Sequence, residues 1–166
     1  SKSFNSILDV NKLASSYFAD CLKSTPTNNA TLFFKNRISS SEISNIFELG
    51  FAPNKNKGLF NYLIKKGYRE DIIISSGLCS KNNNGEIYDR FRDRIIFPIH
   101  NSTYEIVGFG GRALSPSANA KYLNSPETEV FQKGKLLFNE KNCKKNLNGN
   151  DVIIVEGYMD VIALYK

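Results

Sequence analysis

The sequence predicts a mixed α+β / α/β chain: helices first, then a small antiparallel sheet, then the opening of a parallel α/β unit. Three observations carry this. Apolar residues recur near helical spacing over residues 4–24 (Ile7, Leu8, Val10, Leu13, Ala14, Tyr17, Phe18, Leu22). From Tyr88 onward the pattern turns extended, with two apolar runs around a polar turn. Residues 152–155 are then a short β-branched run, followed by Glu156, Gly157 and a helical pattern from Met159. That is how a buried parallel strand leads into a helix. The expected division is residues 1–150 and residues 151–166.

Each element has its own signal. After the first helix, a polar break holds Pro26, and a short helix is expected over 30–35. Ser39, Ser40 and Ser41 are N-cap candidates for a helix over 41–45, with Ser39 and Glu42 at capping-box spacing. Residues 47–52 read as a strand closed by Pro53. Helices over 59–66 and 69–75 are each closed by a glycine, Gly67 and Gly77. Residues 81–85 form a polar turn between short extended pieces. Strands over 95–99 and 104–109, joined by the turn 100–103, make an antiparallel hairpin. Residues 121–124 are a short extended segment, residues 138–145 a helix, and residues 146–150 a link to the final strand.

Composition narrows the function. A net charge of +6 and a pI near 9.2 point to polyanionic partners such as nucleic acid or nucleotides, the alternative being a generic basic surface. Cys21, Cys79 and Cys143 are far apart and His100 is the single histidine, so a structural zinc site is not expected. The thiols fit a reducing compartment. No signal peptide opens the chain and no run approaches a membrane span, so a soluble intracellular chain without membrane contact is expected.

Residues able to carry chemistry concentrate after Asp89. Arg90, Arg92 and Arg94 alternate ahead of an apolar strand and on a strand would share one face, paired with phosphates or with Asp89 and Asp93. Residues 108–112, Gly-Phe-Gly-Gly-Arg, let a backbone approach a ligand closely, or form a β-bulge. Lys121, Tyr122 and Asn124 put a cation, a ring and an amide within four residues. That set suits a phosphate contact, stacking and a hydrogen bond. Lys133 and Lys135 add charge at a turn. Glu156 stands at a strand's carboxyl end with Asp160 four residues on. The pair reads either as a metal or acid–base site, or as a plain turn with Asp160 serving the helix N-terminus.

Taken in order, residues 89–92 (Asp-Arg-Phe-Arg), 96–99 (Ile-Phe-Pro-Ile), 107–112 (Val-Gly-Phe-Gly-Gly-Arg), 121–128 (Lys-Tyr-Leu-Asn-Ser-Pro-Glu-Thr), 131–134 (Phe-Gln-Lys-Gly) and 155–161 (Val-Glu-Gly-Tyr-Met-Asp-Val) resemble the catalytic core of bacterial replicative DNA primases, the DnaG family. Upstream, residues 33–37, 41–42 and 51–53 fit the same pattern more loosely. The block 122–128 is specific to that family. The run 156–160 alone indicates only the wider TOPRIM group, which includes nucleases and topoisomerases.

The resemblance implies a basic N-terminal subdomain followed by a TOPRIM fold. It implies RNA primer synthesis on single-stranded DNA from ribonucleoside triphosphates, with Mg2+ or Mn2+. Arg37, Arg90, Arg112, Lys121, Tyr122, Asn124 and Lys133 match the positions that line the template and nucleotide groove, and Glu156 and Asp160 match the first acidic motif of the metal site. Zinc is expected only in a separate N-terminal domain and a replicative helicase contact only in a C-terminal domain, neither within these residues. The implied location is the bacterial cytoplasm, at the replisome, or an organelle in a eukaryote. Ile38 follows Arg37 where the family pattern has Gly. The family's later carboxylates are not among these residues, so the chain is expected to stop inside the second domain and to be inactive alone. A non-catalytic single-stranded nucleic-acid-binding module, or another TOPRIM enzyme, is the alternative.

Overall fold

The computed structural model describes residues 2–24, 26–146 and 151–165. Helix α1 (Lys2–Ser24) runs the full length of its apolar stripe, burying Ile7, Val10, Ala14 and Phe18. Helix α2 (Asn28–Phe33) begins at Thr27, whose hydroxyl accepts from the Ala30 N–H at 3.3 Å. It passes into a π-helical turn, Phe34–Ile38, which stops at Ser39 with φ of 59°. Helix α3 (Ser41–Ile46) is capped by Ser40, one of the three candidate serines, and not by Ser39, the one at capping-box spacing. The left-handed backbone of Ser39 leaves its neighbour as the extended cap residue, and Ser40 Oγ accepts from Glu42 and Ile43.

Strand β1 is shorter than expected, Gly50–Ala52, because residues 47–49 serve as the turn after α3. Helices α4 (Gly58–Lys65) and α5 (Glu70–Ser75) follow, each closed by a glycine of positive φ: Gly67 at 90° and Gly77 at 76°. Strands β2 (Cys79–Lys81) and β3 (Ile87–Asp89) form a separate antiparallel ribbon around the predicted polar turn.

The main sheet has the order β1-β4-β5-β6, every pair antiparallel. Strands β4 (Arg94–His100) and β5 (Ile106–Ala113) are the predicted hairpin, and β6 (Tyr122–Asn124) adds an edge. Both faces of β4 are covered, which explains its unbroken apolar run. Ile96 faces the cluster built on α1, with Phe18, Leu63, Ile73 and Phe109. Ile95 and Phe97 face a second cluster with Phe33, Ile38, Phe51 and Ile162. Phe51, Phe97 and Phe109 are fully buried, each worth about 1.5–3 kcal/mol relative to exposure.

Helix α6 (Glu140–Asn146) and helix α7 (Tyr158–Tyr165) complete the described elements. The fold is thus the expected mixed one, with N-terminal helices and a small antiparallel sheet. One element differs. Residues 152–155 form no strand, and Val152, Ile153 and Ile154 are exposed. A strand exists only through a ladder, and among the described residues nothing pairs with this run. Most of the expected link over 146–150 lies outside the described residues.

Candidate nucleic-acid interface

The arginine alternation does not make one cationic face. Strand β3 ends at Asp89, and Asp93 turns the chain with φ of 50°, so the period-two pattern is broken. Asp89 pairs with none of the arginines. Its buried carboxylate accepts the Leu59 and Phe60 N–H groups at 2.8 and 3.0 Å and caps α4, whose own Lys57 gives no side-chain cap. Burial pushes the Asp89 carboxyl above its usual range, and the two N–H groups partly offset this.

The three guanidinium groups diverge. Arg92 donates to Asn56 Oδ1 at 2.9 Å and lies over the Tyr88 ring. Arg90 forks the backbone carbonyl of Asn124, Nε at 2.9 Å and Nη2 at 2.7 Å. Arg94 is buried and donates to the carbonyls of Gly111 at 3.2 Å and Lys121 at 3.5 Å. Arg90 and Arg94 therefore clamp the two ends of β6. Burial lowers the pKa of both groups, and for Arg94 the nearby Arg90 charge adds to that.

Strand β6 and Lys121, the residue just before it, carry the predicted triad. Lys121, Tyr122 and Asn124 are all exposed at the sheet edge. Their backbone is held on one side by β5, through Gly110↔Asn124, Gly111↔Leu123 and Arg112↔Tyr122. Just beyond, buried Ser125 donates its N–H to Phe109 O and accepts the Phe109 N–H on Oγ. Glu127 accepts the Lys133 N–H at 2.9 Å and fixes the exposed basic turn Lys133–Lys135. The block from 121 to 135 is thus a strap whose backbone faces inward and whose cations, ring and amide face out.

The glycines of β5 make room for aromatic side chains rather than for an open ligand cradle. A Cβ at Gly110 would meet the Tyr158 ring at 2.5 Å, and one at Gly111 would meet Phe91 at 2.7 Å. Tyr158 stacks on Phe97 (centroids 5.1 Å, planes 8° apart) and meets Phe138 edge-on at 4.7 Å. Its hydroxyl donates to Asn124 Oδ1 at 2.7 Å. Burial pushes that hydroxyl up to about 12.

Of the other predicted residues, Arg112 is half-buried. It donates to Ala113 O at 2.9 Å and lies 4.9 Å from the Phe33 ring, with Nε buried and without a partner among the described residues. Arg37 is exposed on the π-helical turn after α2, on a different element from the β6 triad. Glu156 and Asp160 are both exposed in the turn before and at the start of α7. Asp160 Oδ2 accepts the Gly157 N–H at 3.2 Å, the back-reaching half of a capping box. A groove of about 810 Å3 lies between α1 and the α2–α3 segment and holds none of the predicted site residues. Sequence reasoning missed the roles of Arg94 and Tyr158. Arg94 stands in the arginine alternation and Tyr158 inside the block 155–161, but their partners Lys121 and Asn124 lie 27 and 34 residues away.

A continuous helical and sheet scaffold presents one pinned, polar, cation-bearing edge strand, with an acidic turn tied to it through Tyr158. The family model for the DNA primase catalytic core, N-terminal domain, matches residues 17–144. The DNA primase of Pseudomonas putida is 44% identical over 154 residues, covering 91% of this chain and 23% of that protein. The DNA primase of Deinococcus radiodurans is 40% identical over 162 residues, 96% of this chain and 28% of that one. Among solved structures, the RNA polymerase domain of Mycobacterium tuberculosis primase DnaG, with a double-stranded DNA bearing a 6-nucleotide overhang, matches at TM-score 0.90. Its identity is 32%, over 97% of this chain and 51% of that chain. A DnaG primase catalytic domain bound to single-stranded DNA matches at TM-score 0.88 and 31% identity, over 99% of this chain and 53% of that chain. The chain belongs to the bacterial-type DnaG primase catalytic-core family, as its N-terminal domain region. It spans about a quarter of the length of the curated relatives it matches.

Proposed function

We propose that this chain is the template-gripping part of a primase catalytic core. The longer protein then makes short RNA primers on single-stranded DNA from ribonucleoside triphosphates. The observation that carries the reading is the edge strand β6. Its backbone is fixed by Arg90, Arg94 and β5, while Lys121, Tyr122 and Asn124 remain exposed. An exposed cation, ring and amide on a rigid edge can meet a phosphate, a base face and an acceptor of a single strand without reorganising. The bound single strand in a similar catalytic domain supports this reading.

The roles divide. Lys121, Tyr122, Asn124 and Lys133 meet the nucleic acid, and Arg37 adds positive charge. Arg90 acts by holding Asn124, and Arg112 by its remaining guanidinium edge. No helix among the described residues is long and apolar enough to cross a membrane, and the proposed place of action is the cytoplasm.

The described residues do not by themselves fit a divalent-metal centre. Among the described residues no three His, Cys, Asp or Glu side chains cluster, and Asp160 is engaged by the Gly157 N–H. Two-metal phosphoryl transfer needs several carboxylates to space and neutralise the ions. Glu156 is therefore proposed as one acid of a Mg2+ or Mn2+ site completed by other parts of the longer protein. The test is template-dependent incorporation of labelled ribonucleotides by that longer protein. Glu156→Gln should reduce incorporation by about 100-fold or more, in the range of losing a key electrostatic group, and the 166-residue chain alone should give none. Wild-type rates from Glu156→Gln, or primers from the chain alone, would overturn the assignment.

A further inference from the structure

Asn124 is exposed, yet it is held at three points. Gly110 pairs with its backbone, Arg90 forks its carbonyl, and the Tyr158 hydroxyl takes its side-chain oxygen at 2.7 Å. Exposed asparagines ordinarily sample several rotamers, so fixing this one opposes side-chain entropy. The consequence is chemical as well as geometric. With Oδ1 engaged by a donor, the carboxamide presents only Nδ2, which makes no hydrogen bond among the described residues. Asn124 is thereby converted from an ambivalent amide into a pair of N–H donors.

Tyr158 is itself immobile. Its ring is stacked on Phe97, met edge-on by Phe138 and seated over Gly110, where no Cβ could stand. It also lies two residues after Glu156, at the first position of α7. Any shift of that turn would pull on the Asn124 amide.

We propose that Tyr158 is a positioning residue: its hydroxyl orients Asn124 as a donor to phosphate or sugar oxygens of a single strand and couples that grip to the Glu156 turn. This rests on β6 being the nucleic-acid interface. The ligand class follows from the donor-only amide, since phosphate and sugar oxygens are the acceptors present at every nucleotide.

The test is a double-mutant cycle on the 166-residue chain, using a fluorescein-labelled 20-nucleotide oligothymidylate and anisotropy at fixed salt. Tyr158→Phe removes only the hydroxyl and keeps the stacking. It should weaken binding about fivefold, the worth of one hydrogen bond. The slope of log affinity against log salt should not change, since no charge is removed. Tyr158→Phe with Asn124→Ala should bind as Asn124→Ala alone does. The Asn124 side-chain amide resonance should shift on adding the oligonucleotide, and shift less in Tyr158→Phe. Asn124→Leu, similar in size and uncharged, removes both donors without adding a charge, so it should lose binding even if Tyr158→Phe fails to fold. Losses that multiply in the double variant, unchanged binding by Tyr158→Phe, or unchanged binding by Asn124→Leu each overturn the inference. If the unaltered chain ignores the oligonucleotide, it is the β6 interface itself that fails. If the chain and Asn124→Ala behave as expected and Tyr158→Phe does not, only the positioning role fails.

Discussion

Gly110 and Tyr158 occupy one space: a side-chain carbon on the glycine would lie 2.5 Å from the tyrosine ring carbon Cζ. Strand β5 and the start of α7 are fitted to each other at this point. Gly110→Ala should displace the ring from its stack on Phe97 and destabilise the chain by about 1–3 kcal/mol, the usual cost of overpacking. A urea midpoint equal to wild type would show that the ring moves aside freely.

Arg90 makes two charge-assisted hydrogen bonds to a single carbonyl, that of Asn124. Arg90→Ala should loosen the β6 end by about 1–2 kcal/mol, because that carbonyl is left without either donor. Amide hydrogen exchange should rise over Tyr122–Asn124 and stay unchanged over β4. Uniform exchange changes, or none, would remove Arg90 from the clamp.

Glu48 supplies a pH dependence. Its carboxylate lies 2.6 Å from His100 Nε2 and 3.4 Å from Lys141 Nζ, and its backbone has φ of 53°. The hydrogen bond to His100 holds its pKa below the ordinary 4.5, with Lys141 adding to the effect. The folded pKa is depressed, so the stabilisation is present above pH 4.5 and is lost as pH falls through the folded value. Glu48→Gln should be less stable than wild type at pH 7, and the difference should shrink below about pH 4.5. The pair is partly exposed, so the effect is small. Parallel stability curves for the two proteins from pH 7 to pH 3 would contradict this linkage.

Much of this was legible locally. Helix α1 follows its apolar spacing, the β4–β5 hairpin follows its turn, and Gly67 and Gly77 close helices as their positive φ requires. Lys121, Tyr122 and Asn124 could be singled out because residue type alone suggests a role for them, and all three are exposed. What could not be read depends on partners distant in sequence. The β5 glycines face Tyr158, Phe131 and Phe91, and nothing local distinguishes room for a ring from room for a ligand. Arg90, Arg92 and Arg94 share a face only if 89–94 is a strand, and the left-handed Asp93 prevents that. Residues 152–155 have strand composition, yet a ladder needs a neighbour, and here the run lies exposed.

The basic residues also set a salt response. Lys121 and Lys133 are exposed, and each is expected to meet one phosphate. Lys121→Ala and Lys133→Ala should therefore each lower the salt slope on single strands by about 0.7. Arg112→Ala should lower stability as well as affinity, since its guanidinium packs on Phe33. A salt slope unmoved by Lys121→Ala and Lys133→Ala would place the phosphates elsewhere.

The central claim is that the β6 edge grips a single strand. Its most direct measurement is the affinity of the 166-residue chain for a labelled 20-nucleotide oligothymidylate between about 50 and 200 mM salt, compared with that of the double variant Lys121→Ala, Asn124→Ala. Weak binding that falls steeply with salt, and falls again in the double variant, is the predicted result. Binding that is indifferent to salt, or equal in wild type and the double variant, would contradict it.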